Sequence, residues 1–441
     1  MNNQKWIDYA LTQGFEAFEI YQLLGQTKAV SWFEGQRDSF VTSRVLGTSL
    51  RGTVNGKLAN YSVEDPSDSN MEKVVADMKA QAEAITSDEE AIIRKPEDTD
   101  KVESIKNWVK PSNDEIIKML ALVEEKAKNY DPRIVQVAGI SWEETKIKRV
   151  IVNSNGMNVE DEGYAQLIFA QIAAAENGDV QANYKVQIVE DLSKFDVDKY
   201  IDELCGETVK KLGAISLKSG QYPVIMEKGA MTTLMACFTG MFSGDLISKG
   251  ISPLKESFGK QIFSEKITVI DDPRQQKAIS LANYDDEGCP TREKKVVDKG
   301  VFTTILFDSK SAKKMGAEST GNGFRASYNS PVNVAPKNLY IVPGDKDLDA
   351  LCKDMGDGLV ITGLMGMHAG IDFVTSNLSL QCSGYWVKDG KRDHSVSLIT
   401  MAANFLEFMK SVEEVGSDIE WSYENIACPS IRFTSCAISG E

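Results

Sequence analysis

The 441 residues contain two histidines, His368 and His394. A zinc site of the H-E-x-x-H type needs two histidines one helical turn apart with a glutamate between them. These two lie twenty-six residues apart and neither has a glutamate beside it, so a zincin-type centre is excluded. The seven cysteines, Cys205, Cys237, Cys289, Cys352, Cys382, Cys428 and Cys436, include no C-x-x-C pair. That spacing gives neither a zinc knuckle nor a dithiol redox motif, and fits reduced cytoplasmic thiols. Carboxylates gather in Asp271-Asp272 and Asp285-Asp286-Glu287, five within eighteen residues. Clustered oxygens suit Ca²⁺ or Mg²⁺, but Asp beside Gly is more often turn chemistry, and a peptide-binding or interface role is the third use. Gly321-Asn322-Gly323 lacks the third glycine of a dinucleotide cradle, yet it would let a backbone approach a ligand or a neighbouring strand. His368, within Gly366–Gly370, is a candidate general acid or base with no partner visible in the sequence. A Cys/His nucleophile pair built on Cys289 or Cys382 is equally without a visible partner.

The elements that must position these groups follow from periodicity. A short helix opens the chain, then strands over Phe15–Leu24, Ala29–Glu34 and Arg44–Thr53, with a hairpin at Asn55-Gly56. A helical stripe runs through Met71, Val74, Val75, Met78, Ala82 and Ile85, and a second, opened by Pro111-Ser112, through Ile116, Ile117, Leu120, Val123 and Ala127. Strands return over Ile134–Trp142, Lys146–Asn153, Ala165–Ala175 and Gln181–Val189, with turns at Asn155-Gly156 and Asn177-Gly178. A third helical stripe spans Val197 to Leu212, and Ser216–Gly220 reads as a boundary. Beyond it come a strand at Tyr222–Met226 and a helix through Met231, Leu234, Met235, Phe238 and Phe242. Many short strands follow, with turns at Asp285–Gly288, Lys299-Gly300, Gly344-Asp345 and Asp389-Gly390, then a helix from Ala402 to Val412 and a last strand, Ser430–Ile438. Strand runs without strict βαβ alternation predict an α+β fold: an N-terminal α/β part with antiparallel meanders, and a mainly antiparallel β part with few helices. The expected division is 1–215, itself divisible at 110/111, and 216–441. The two hairpin-plus-helix blocks of the first half suggest a loose duplication.

Sixty-five acidic against 49 basic residues give a net charge of −16. A nucleic-acid binder needs a basic face, and an anionic membrane surface repels such a chain, so neither is an expected partner. Much of the acidity falls between Ser62 and Tyr130, where a solvated face is the ordinary reading. The longest uncharged run, Gly229–Gly244, has sixteen residues, short of the roughly twenty a membrane span needs. No apolar leader opens the chain, and a cytoplasmic protein is expected.

The ordered strings ITVIDDP, YDDEGCPT, VVDKGVFTTILFD, STGNGFR, NLYIVPG and SGYWVKDGK together resemble the TldD/PmbA family, densely from Tyr222 to Gly440 and more weakly over 15–215. The family is associated with peptide-antibiotic maturation, antitoxin degradation and modulation of DNA gyrase. Its TldD branch carries H-E-x-x-x-H followed by Gly-Asp. The matching stretch here is Met235-Ala236-Cys237-Phe238-Thr239-Gly240, then Gly244-Asp245. Met235, Ala236 and Gly240 thus stand where the two histidines and the glutamate would be. The branch's third ligand, a cysteine, would fall near Val415-Gly416, where there is none, and Cys428 lies well beyond. Positions five apart differ by about 500° on an ideal helix, so such ligands share a face only if the helix is deformed. The resemblance implies the PmbA (TldE) branch: no catalytic residue or metal in this chain, zinc in a TldD-type partner, and a closed chamber for unfolded or leader peptides, in a heterodimer or homodimer. Asp245, Asp285, Asp286, Asn322, His368 and Asp372 are the expected peptide-lining or interface groups. A free-standing hydrolase and a gyrase-type regulatory binding protein are the alternatives.

Overall fold

The computed structural model describes residues 1–64, 66–86 and 92–441; Asp65 and the acidic run at 87–91, part of the Ser62–Tyr130 stretch, lie outside the described residues. The first half is one six-stranded antiparallel sheet in the order β3-β2-β1-β4-β5-β6. Its strands are β1 (Ala17–Phe33), β2 (Gln36–Val54), β3 (Lys57–Glu64), β4 (Ile134–Asn153), β5 (Asn158–Glu176) and β6 (Asp179–Ile188). Two three-stranded meanders therefore meet edge to edge along β1 and β4. Each is preceded and followed by helix: α1 (Asn3–Thr12) and α2 (Met71–Glu83) for one, α3 (Asn113–Tyr130), α4 (Val197–Ile201) and α5 (Glu207–Lys210) for the other. The two hairpin-plus-helix blocks read from the sequence are these two meanders with their helices.

The long strands correct the sequence reading, which broke β1 near Lys28 and β4 near Glu144. At 17 and 20 residues they span roughly 55–65 Å. They continue because the polar residues at the supposed breaks face each other: Lys28 Nζ reaches Glu144 Oε1 at 2.8 Å, a cross-strand pair that fills the register. The turns at Asn55-Gly56, Asn177-Gly178, Lys299-Gly300 and Asp389-Gly390 hold positive φ at both residues, as two-residue hairpins demand. α3 starts on a capping box in which Ser112 and Glu115 satisfy each other's backbone N–H. Its stripe, Ile116, Leu120, Val123 and Ala127, is buried against Val30, Trp142 and Ile168 of the sheet. α1 and α2 cover the same face further along, over Phe18, Ile20 and Leu50.

Among the described residues the second half carries two larger sheets and a two-stranded one that pairs Gly323–Arg325 with Val332–Val334. Strand β7 (Gly220–Met226) joins β14 (Gly358–Met365), β16 (Asn377–Lys388), β17 (Lys391–Asn404) and β20 (Ile431–Ser439) in the order β14-β7-β20-β17-β16. A further β14–β16 pairing closes the ring into a small barrel, open only where β14 runs on past the end of its pairing with β7. The other sheet has the order β10-β9-β8-β13-β19: β8 is Val269–Asp271, β9 Lys294–Asp298, β10 Val301–Phe302, β13 Leu339–Ile341 and β19 Ile426–Ala427. Between them lies α6 (Lys228–Phe238), in one apolar core with residues of both. The helix expected from Ala402 to Val412 is only Phe405–Lys410. Ala402 belongs to β17, where it pairs with Ser379 and Ala437, so sheet pairing outweighs the helical periodicity there.

Candidate functional site

α6 begins at Glu227, whose Oε2 accepts from Gly229 N at 2.9 Å, and runs eleven residues. It gives way to a 3₁₀ turn over Thr239–Phe242, and Ser243 caps a one-turn helix, α7 (Gly244–Ser248). The helix is thus deformed between positions 235 and 240. Met235 is fully buried with Met231, Leu234 and Phe238, Ala236 is exposed and Gly240 half-buried. A Cβ added at Gly240 would lie 3.3 Å from both Leu246 and Phe373. Phe373 in turn stacks on Phe238 at 6.4 Å between ring centroids. The segments bearing Asp245 and Asp372 therefore flank the end of α6. Asp245 pairs with Lys249 at 2.7 Å. Asp372 is exposed, and a hydrogen bond from the Thr375 side chain, with the N–H groups of Thr375 and Val374, holds its carboxyl low. His368 stands exposed on the one-turn helix Met367–Gly370.

These side chains do not offer the donors a zinc ion takes: a buried thioether, a methyl group and a glycine stand at the three positions. Among the described residues, no three His, Cys, Asp or Glu gather in a way that could hold a metal. Cys428, remote along the chain, is brought against α6, where its N–H donates to Thr232 Oγ1 at 3.0 Å. Its buried thiol is pushed up to about 12 by desolvation, the environment of an inert cysteine. Burial also raises the half-buried Cys237 thiol, which bonds Thr233 O.

Beside α6 opens a cavity of about 480 Å³, lined among others by Tyr184, Lys211, Thr233, Thr362, Leu364 and Tyr423. Lys228 pairs with Glu420 across its mouth, and burial raises the Glu227 carboxyl. β14 pairs with β7 only over Leu359–Ile361 and then runs on to Met365 beside β16. That leaves a short strand edge next to α6.

The other expected residues lie elsewhere, at the joint between the two halves. Asp285 is fully buried, with Oδ1 accepting from Glu287 N and Cys289 N and Oδ2 from Gly323 N, each at 2.9 Å. Asp286 accepts from Arg149 Nη1 and from Arg325 N, both at 2.7 Å, and Arg149 Nη2 reaches Asp161 at 2.6 Å. Glu287 faces Arg51, which also holds Glu19. Asn322 Nδ2 donates to Asp271 Oδ2 at 2.8 Å and to Ala335 O at 2.9 Å, and Lys294 pairs with Asp271. Every lone pair named here is taken by a protein donor, which is turn and joint chemistry. Sequence reasoning missed Arg149, Arg51 and Lys337, basic residues isolated in strands and loops; only the fold shows what they face.

A family model described as the PmbA/TldA metallopeptidase C-terminal domain matches residues 219–440, and one described as the central domain of the same metallopeptidases matches 106–216. Metalloprotease PmbA of Escherichia coli O157:H7 is 29% identical over 334 residues, 75% of this chain and 71% of that protein. A Thermotoga maritima structure described as a modulator of a DNA gyrase superposes with a TM-score of 0.89 at 27% identity, covering 99% of both chains. TldE of Thermococcus kodakarensis superposes at 0.90 with 22% identity, over 99% of this chain and all of that one, a likeness of fold.

Proposed function

The chain belongs to the PmbA/TldD metallopeptidase family, and within it we propose that it is the supporting subunit without its own catalytic metal. The observation that carries this reading is the donor set at the end of α6: Met235, Ala236 and Gly240 supply neither a ligand nor a general base. A family metallopeptidase needs a metal to polarise the scissile carbonyl and activate water, so the zinc belongs to a TldD-type partner, with which this chain forms a heterodimer. A homodimer is the alternative assembly. Substrates are unfolded or leader peptides processed in the cytoplasm. The short edge of β14 beside the α6 cavity supports this, because an extended peptide can add a strand there through main-chain hydrogen bonds that tolerate many sequences.

The test is metal content and peptidase activity on an unfolded peptide, for the chain alone and mixed with a TldD-type partner. We expect substoichiometric zinc and no cleavage alone, and chelator-sensitive cleavage in the mixture. Chelator-sensitive cleavage by the lone chain would overturn the reading, and chelator-insensitive cleavage would mark a free-standing hydrolase. Capture of a topoisomerase without any TldD-type chain would favour a regulatory role, the description given to the Thermotoga neighbour.

A further inference from the structure

A second cavity, of about 450 Å³, opens at the joint, where Tyr21 and Arg149 of the six-stranded sheet meet Arg325 and Lys337 of the second half. Its cations are of two kinds. Arg149 is neutralised, one nitrogen on Asp286 and the other on Asp161. Arg325 and Lys337 have only neutral side-chain partners. Lys337 Nζ donates to Ser280 Oγ at 2.9 Å and Asn425 Oδ1 at 3.1 Å. The Arg325 guanidinium lies over the Tyr21 ring, 4.9 Å from its centroid, and its Nη1 donates to Ser330 O at 2.7 Å and Ser49 Oγ at 3.4 Å, while its Nε and Nη2 are enclosed without a hydrogen-bond partner. Those two nitrogens form the edge with which Arg51 grips Glu19 in this same chain, the geometry that matches a carboxylate. A charged donor left unpaired in a desolvated place is costly and calls for an explanation. Burial and the nearby Arg149 push the Lys337 ammonium down to about 8, a strain that an added anion would relieve. The rest of the wall includes Leu23, Leu281, Phe324 and Pro336.

We propose that this cavity binds an organic carboxylate bearing an apolar group, its carboxylate between Arg325 and Lys337 and its apolar part against Leu23, Phe324 and Pro336. The volume is that of a small-molecule site. A monoanion fits better than a phosphate dianion, because Asp161 and Asp286 border the same space. Two sources share this chemistry, the free C-terminus of a peptide and a free small acid. Binding is a property of this chain alone, so it stands or falls separately from the supporting-subunit reading.

The test is calorimetric titration of the full chain at neutral pH with acetyl-Ala-Ala-Leu, its C-terminal amide, acetyl-leucine and inorganic phosphate. We expect the peptide acid to bind at least tenfold tighter than the amide. Lys337→Gln should erase that preference, and Arg325→Lys, which keeps the charge but loses the fork, should weaken it. Circular dichroism verifies that both variants fold; Lys337→Gln removes only contacts to neutral groups. Acetyl-leucine binding as tightly as the peptide acid identifies a free small acid, and weaker binding identifies a peptide terminus. Equal binding of acid and amide, no binding of either, or phosphate binding as tightly as the acid would overturn the proposal.

Discussion

Asp285 accepts three backbone N–H bonds and is nonetheless pushed up to about 8 by burial, with Glu287 beside it adding to the rise. An unfolded aspartate titrates near 4. Between about pH 4 and pH 8 the folded chain therefore keeps a proton that the unfolded chain has released. Folding stability linked to this group is fully present at the acid end and falls as pH rises toward 8. We expect the urea midpoint to drop between pH 5 and pH 8.5 and Asp285→Asn to flatten that drop; an unaltered slope in the variant would show that other groups set it. The same residue illustrates what isolated side chains conceal. Asp285 and Asp286 are adjacent acids in the sequence, yet one is enclosed by backbone donors while the other meets Arg149, 137 residues away.

At the scale of elements, β17 holds a non-glycine residue at φ +54, Leu398, whose side chain is 72% exposed. It sits where the pairing with β16 slips between Val396 and Ile399. A left-handed conformation costs an L-residue about 1–2 kcal/mol and glycine almost nothing, while little burial would be lost here. Leu398→Gly should therefore stabilise the chain by about 1 kcal/mol in urea unfolding, whereas a loss of stability would show that the side chain is packed in the assembled protein. Helices were the most legible elements. The stripes of α2, α3 and α6 lie buried as their spacing implies, apart from the half-buried Ile85, past the end of α2, and Ile117 of α3, because period 3.6 is printed in local sequence. The strand lengths were not, since polar residues such as Lys28 and Glu144 read as breaks until the strand opposite is known.

Across the whole molecule, the joint ties the halves through Arg149, Arg51 and Asp161 on the sheet and the Asp285–Glu287 turn on the other side. Opening it would break the buried Arg149–Asp286 and Arg51–Glu287 contacts that link the two halves. The halves should accordingly unfold together. Four of the six tryptophans, Trp6, Trp32, Trp108 and Trp142, lie in the first half, so fluorescence reports mainly on it. Coincident fluorescence and far-UV circular dichroism transitions are expected, and separated ones would show that the joint is weak. The sequence by itself determined the α+β class, the family resemblance, the methionine, alanine and glycine at 235, 236 and 240, and the helices and hairpin turns, because each is written in local spacing or residue identity. Only the tertiary structure decided that Cys428 lies against α6, that Asp285 and Asn322 are buried on partners of the second half while Asp286 meets Arg149 across the joint, and that Arg325 and Lys337 share a cavity. Those pairings join residues tens to hundreds of positions apart, and strand order and register bring them together.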